Sequence, residues 1–261
     1  MKRFIFLFLS AFFWQTAAQA ALHTETIEYT HGKAVLEGYL AYDDAVQGKR
    51  PGVLVVHDWT GLREEPKKRA EKLAQLGYVA FAVDMYGKGI RPTDPKDAGA
   101  QASLYKNDRT LMRERVKAGL DVLLRQPNVE SSRIAAIGYC FGGTAVLELA
   151  RSGADVRGVV TFHGGLSTPA PADAKNIKGK VLVLHGADDP YAPKEEVLAL
   201  EDEMRKADVD YEVHLYGGAV HSFTIREAGS DNAKGAAYNA LADKRSWEAM
   251  KQFLNEIFQA A

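Results

Sequence analysis

Cysteine is what this sequence has least of: one residue, Cys140, in a chain of 261. A single thiol excludes an internal disulfide, so packing and hydrogen bonds alone must hold the fold. No Asn-x-Ser/Thr sequon occurs, which removes the cue for N-glycosylation. Charge is not in excess either, since 33 Lys and Arg face 34 Asp and Glu for a net charge of −1. With no basic stripe interleaved with aromatics, nucleic acid is not expected as a partner. The seven histidines show neither His-x-His nor His-Glu-x-x-His spacing, so no metal is expected. Gly-x-Gly-x-x-Gly is missing too, and no dinucleotide or other cofactor is expected. Past the first twenty residues no run is apolar enough to span a bilayer, so no membrane anchor is expected.

The first twenty residues carry a different signal. Lys2 and Arg3 precede an apolar run over 4–14, and Ala18-Gln19-Ala20 supplies a small-x-small cleavage site. This is the pattern of a secretory signal peptide, and the run is short of the ~20 residues a membrane span needs. Removal of 1–20 and export to a periplasm or the exterior are expected. A lone thiol in an oxidising compartment is a liability unless it is used. Neither a repeat nor a linker divides the remainder, so 21–261 reads as one domain.

Within that domain, residues 24–29 and 34–42 alternate apolar and polar side chains across Thr30-His31-Gly32-Lys33, the pattern of a β-hairpin. A continuous apolar run follows within 52–57, as for a strand buried on both faces, with further strands read at 78–84, 133–137, 156–163 and 180–185 and a final one at 210–216. Between them, helical spacing occupies 64–76, 100–106, 108–126, 144–151 and 194–207, and a long helix is predicted over 234–258. Strands alternating with helices imply an α/β fold: a mostly parallel central sheet, helices on both faces and an N-terminal antiparallel hairpin.

The chain is organised around Gly138-Tyr139-Cys140-Phe141-Gly142-Gly143, set between a strand pattern and a helix pattern. Strand, glycine-flanked turn and helix match a nucleophile elbow with cysteine in the usual serine position. A small buried cysteine is the competing reading. A thiol nucleophile needs a base within reach and an acid to orient it, and in this pattern both follow it in the chain. Downstream lie His185-Gly186-Ala187-Asp188-Asp189-Pro190, after a buried strand, and His221-Ser222-Phe223, after the last strand. Asp188 and Asp189 compete for the acid, and the Gly-x-x-Asp-x-x-x-Pro spacing of Gly186, Asp189 and Pro193 favours Asp189. His57, His163 and His185 fall at the carboxyl ends of strands, where ligands bind in such sheets, and are expected to line the pocket edge.

These motifs, together with Asp84-Met85-Tyr86-Gly87, resemble the dienelactone hydrolase family over nearly all of 24–258. The resemblance implies an α/β-hydrolase fold and hydrolysis of a small-molecule ester or lactone. By it, Cys140 is the nucleophile, His221 the base and Asp189 the orienting acid, with backbone N–H groups of Trp59 and Phe141 as the oxyanion hole. It also implies an acid at Asp58 near the thiol, where many members have Glu, and cations near Lys88 and Arg226 to hold a substrate carboxylate. Trp59, Tyr86 and Phe223 are then expected as apolar pocket walls. The rival reading on the same fold is a ligand-binding or redox-sensing module with Cys140 as its oxidisable thiol.

Overall fold

A computed structural model describes residues 22–259. The expected signal peptide lies outside the described residues. Strands β1 (Leu22–His31) and β2 (Ala34–Asp43) form the hairpin, and β3 (Arg50–Val56), β4 (Val79–Val83), β5 (Val129–Tyr139), β6 (Gly158–Phe162), β7 (Lys180–Gly186) and β8 (Tyr211–Tyr216) complete one sheet. Its order is β1-β2-β4-β3-β5-β6-β7-β8. β1–β2 and β2–β4 pair antiparallel, and every pairing from β4 to β8 is parallel.

The apolar runs are continuous because alternate residues feed two cores. In β3, Leu54 and Val56 face one side and Val53 and Val55 the other, and all four are fully buried. The first face packs under α2 (Pro95–Asn107), α3 (Arg109–Leu124), α4 (Phe141–Arg151) and α5 (Lys194–Lys206). The second packs under α1 (Glu64–Gln75) and α6 (Ala240–Gln259), through Leu73, Met250, Phe253 and Leu254 among others. Each such side chain stabilises the fold by about 1.5–3 kcal/mol. Among the described residues no helix is long and apolar enough to cross a membrane.

The topology fixes where a ligand can enter. From β3 the chain crosses to β4 on one side, then returns to place β5 on the other side of β3. This reversal opens a crevice beyond the carboxyl ends of β3 and β5. Val56 and Gly138 are the last paired residues there, so the segments starting at His57 and Tyr139 emerge side by side.

The two largest departures from the expected boundaries are both at helix starts. The final helix begins at Ala240, because residues 234–239 do other work: His221 accepts from the Ala237 N–H and donates to Gly235 O, and Gly235 adopts φ +77°. Helix α2 begins at Pro95, five residues early, with Asp94 accepting from the N–H groups of Lys96 and Asp97 and Pro95 in the first turn.

Candidate active site

Cys140 sits between β5 and α4 at φ 54°, ψ −113°, a conformation L-residues rarely adopt. The glycines make that turn possible. A Cβ on Gly138 would collide with Gly142 O, one on Gly142 with Val56 O, and one on Gly143 with the Thr161 hydroxyl. The strain of such a residue, about 1–3 kcal/mol, is comparable to the burial of one neighbouring core side chain. Four described non-glycine residues have positive φ, and three of them, Cys140, His163 and Ser222, stand at this edge. Backbone strain concentrated in one place marks a functional site.

Three of the expected site residues come together. His221 Nε2 lies 3.0 Å from Cys140 Sγ, and its Nδ1 lies 2.8 Å from Asp189 Oδ2. Asp189 is itself held: Oδ1 accepts from the N–H groups of Tyr191 (2.8 Å) and Ala192 (3.2 Å). Asp188 points elsewhere and accepts from the Gly218 N–H at 3.1 Å, tying down the turn ahead of His221. Burial works against charge on the His221 ring. The charge on the Cys140 sulfur and the hydrogen bond to Asp189 outweigh it and raise the ring's pKa to about 10.

Behind His221 stands a second, buried histidine. The His163 ring meets His221 edge-on at 5.3 Å, and its Nε2 lies 2.8 Å from Thr224 Oγ1. Burial, then the neighbouring charge of His221, hold His163 well below the ordinary histidine value, so it is neutral. Thr224 O in turn accepts at 3.0 Å from buried Arg69 of α1, whose guanidinium also lies 3.6 Å from Asp243 of α6.

The crevice above Cys140 has a volume of about 350 Å³ and is lined by Trp59, Ser103, Lys106, Tyr191, His221 and Ser222, with small residues of α2 between them. Several expected pocket residues do not reach it. His163 and Phe223 are fully buried beneath the base, as are His57 and His185 behind the edge. Tyr86 is buried too and acts through its hydroxyl, which donates to Trp59 O at 3.0 Å. Asp58 Oδ1 accepts from the N–H (2.7 Å) and hydroxyl (2.6 Å) of Thr60, closing its own turn, and Asp58 does not line the crevice. Lys88 is engaged by Glu28 and Glu37 on the hairpin, and the Arg226 guanidinium stacks on Tyr238 at 4.8 Å. The cation that lines the crevice is Lys106. Its face of α2, with Gly99, Ala102 and Ser103, repeats at helical spacing, a signal lost when the helix is begun at 100.

The sequence profile of the dienelactone hydrolase family matches residues 36–258. The chain belongs to the dienelactone hydrolase family. Two solved structures are 43% identical to it. One, denoted m3DLH, covers 92% of this chain and all of its own at a TM-score of 0.88. The other, a dienelactone hydrolase-like promiscuous phosphotriesterase from metagenomic libraries, covers 91% and 99% at 0.86. A Synechocystis protein named "Putative carboxymethylenebutenolidase" is 28% identical over 235 residues, 83% of this chain and 90% of its own. This dienelactone hydrolase-family chain has the α/β-hydrolase fold and is a hydrolase of esters or lactones.

Proposed function

We propose that the chain cleaves small carboxylic esters or lactones through a Cys140–His221–Asp189 triad and an acyl-thioester intermediate, after export and removal of residues 1–20. The observation that carries this reading is the continuous contact Sγ···Nε2 at 3.0 Å and Nδ1···Oδ2 at 2.8 Å. Attack by the sulfur on the carbonyl carbon forms the C–S bond and moves the carbonyl π-pair onto oxygen. The N–H groups of Trp59 and Phe141 receive that oxyanion. Among the described residues neither makes a backbone hydrogen bond outside regular elements, and Phe141, first in its helix, has no acceptor one turn back. Collapse of the intermediate breaks the C–O bond, and His221 gives its proton to the departing alkoxide.

The proton transfer is self-adjusting. Once the sulfur is acylated, its charge no longer holds the proton on His221, so the ring can release it. The neutral ring then takes a proton from water, which attacks the thioester and frees the carboxylic acid and the thiol. Asp189 keeps Nδ1 protonated throughout.

The test is Cys140→Ala with a chromogenic short-chain ester. Turnover is expected to fall by at least about 10³-fold with the melting temperature preserved. Wild-type protein quenched in acid during turnover is expected to carry one acyl adduct at Cys140 by mass. Near-wild-type turnover in Cys140→Ala would overturn the reading. Intact mass of exported protein, beginning at residue 21, tests the export part.

A further inference from the structure

His57 is fully buried, outside the triad and away from the crevice lining. Its two ring nitrogens are both committed, and the partners dictate its tautomer. Nε2 lies 3.1 Å from the Met85 N–H, a group that can only donate, so Nε2 is the bare acceptor. Nδ1 lies 2.5 Å from Asp58 O, a group that can only accept, so Nδ1 carries the hydrogen. Burial opposes a second proton and keeps the ring neutral.

The Asp58 carbonyl belongs to the same peptide group as the Trp59 N–H. In a planar trans peptide these two bonds point in opposite directions. Anchoring the carbonyl against the buried ring therefore turns the Trp59 N–H the other way, and Trp59 is on the crevice wall. The same ring stacks on Phe141 at 5.9 Å, beside the second proposed donor. The elbow closes against this segment as well, since a Cβ on Gly142 would strike the backbone oxygens of Val56 and His57. One side chain thus holds the peptide that carries one proposed donor and packs on the side chain of the residue that carries the other.

We propose that His57 is the positioning residue of the oxyanion hole, fixing the Asp58–Trp59 peptide through its Nδ1–H so that the Trp59 N–H meets the developing negative charge. This rests on the acyl-transfer reading above. It assigns a role to a histidine that touches neither substrate nor sulfur.

The experiment compares two substitutions that each keep one of the two hydrogen bonds. His57→Asn places an amide N–H near the Nδ1 position and keeps the tether to Asp58. His57→Gln places its amide near the Nε2 position, where it accepts from Met85 and leaves Asp58 O free. Both lose one hydrogen bond, so thermal melting is expected to fall similarly in the two. For a chromogenic ester, kcat is expected to be at least about tenfold lower in His57→Gln than in His57→Asn, with KM within about twofold of wild type in both. Alkylation of Cys140 by iodoacetamide forms no oxyanion, and its rate is expected to be the same in both variants.

Equal kcat values, or Gln above Asn, would overturn the proposal. So would alkylation rates that fall in step with kcat, because His57 would then be supporting the whole site. If either variant fails to fold, His57→Phe and refolding yields replace it in the same comparison, and retention of wild-type kcat in any folded variant without the Nδ1–H is again fatal. Failure of the acyl-transfer reading is separate: it shows as ester turnover that survives Cys140→Ala in the wild-type background.

Discussion

The floor of the crevice and its rim are built on different terms. On the floor, Cys140, His221 and Asp189 are each fixed by the backbone or by one another, and buried His57, His163 and Arg69 stand behind them. On the rim, Trp59, Ser103, Lys106 and Tyr191 are exposed, and α2 offers small residues between them. Reaction geometry tolerates little displacement, whereas recognition of a small acyl group is a matter of contour and a few charges. The chain therefore holds the first rigidly and leaves the second open to change.

Substitutions at the two aspartates should break this division most sharply. Asp189→Asn removes the partner that keeps the proton on Nδ1, and kcat is expected to fall about 10³- to 10⁴-fold. Asp188→Asn can still accept from the Gly218 N–H, and its loss is expected to stay below about tenfold. Steady-state kinetics on both variants decides the matter, and a reversed ranking would move the orienting role to Asp188.

The protonation of the floor gives the next largest effect. The folded value for His221, about 10, lies above its ordinary 6.5, so the charged ring persists through neutral pH and is lost as pH rises through about 10. Its contribution to stability has the same sign, complete below 6.5 and gone above about 10. The rate of the acylation burst is expected to be level near neutrality and to decline above about 10. A burst rate that climbs with a midpoint near 6.5 would mean an ordinary neutral base in place of a charged one.

The smallest effect belongs to the rim. Lys106→Ala is expected to raise KM for a carboxylate-bearing ester by up to about fivefold and to spare its neutral analogue, as befits an exposed charge. Lys88→Ala and Arg226→Ala should leave both substrates unchanged, because their charges are engaged elsewhere. A selective KM rise in either would return the anion-binding role to the positions the family resemblance indicates.

These cations also show what the sequence could and could not reveal. Buried strands were legible as β-branched runs, and the elbow as glycines around Cys140, because burial on both faces and a crowded turn each restrict which residue types a position accepts. Order along the chain sufficed to name Asp189 and His221 as candidates that the fold brings together. Lys88 and Arg226 were different: position relative to a strand says which edge a residue reaches, not whether an acid intercepts it. Glu28 and Glu37, about 60 and 50 residues upstream, do so for Lys88. The role of His57 was equally hidden, since its tautomer depends on the Met85 N–H from the segment that follows β4. Helix α6 was drawn six residues too early because a parallel bridge between His221 and Ala236 has no local signature.

The contact between Arg69 and Thr224 has a consequence for how the enzyme comes into being. It spans 155 residues, and closing a loop of that length from a free chain costs about 4–5 kcal/mol in entropy. The loop bearing His221 is thus fastened to α1 near the start of the domain and, through Asp243, to α6 at its end. Local helices and the hairpin can form while most of the chain is still being made, but this fastening cannot. Competence to react is a property of the completed polypeptide, acquired after the pieces around it already exist.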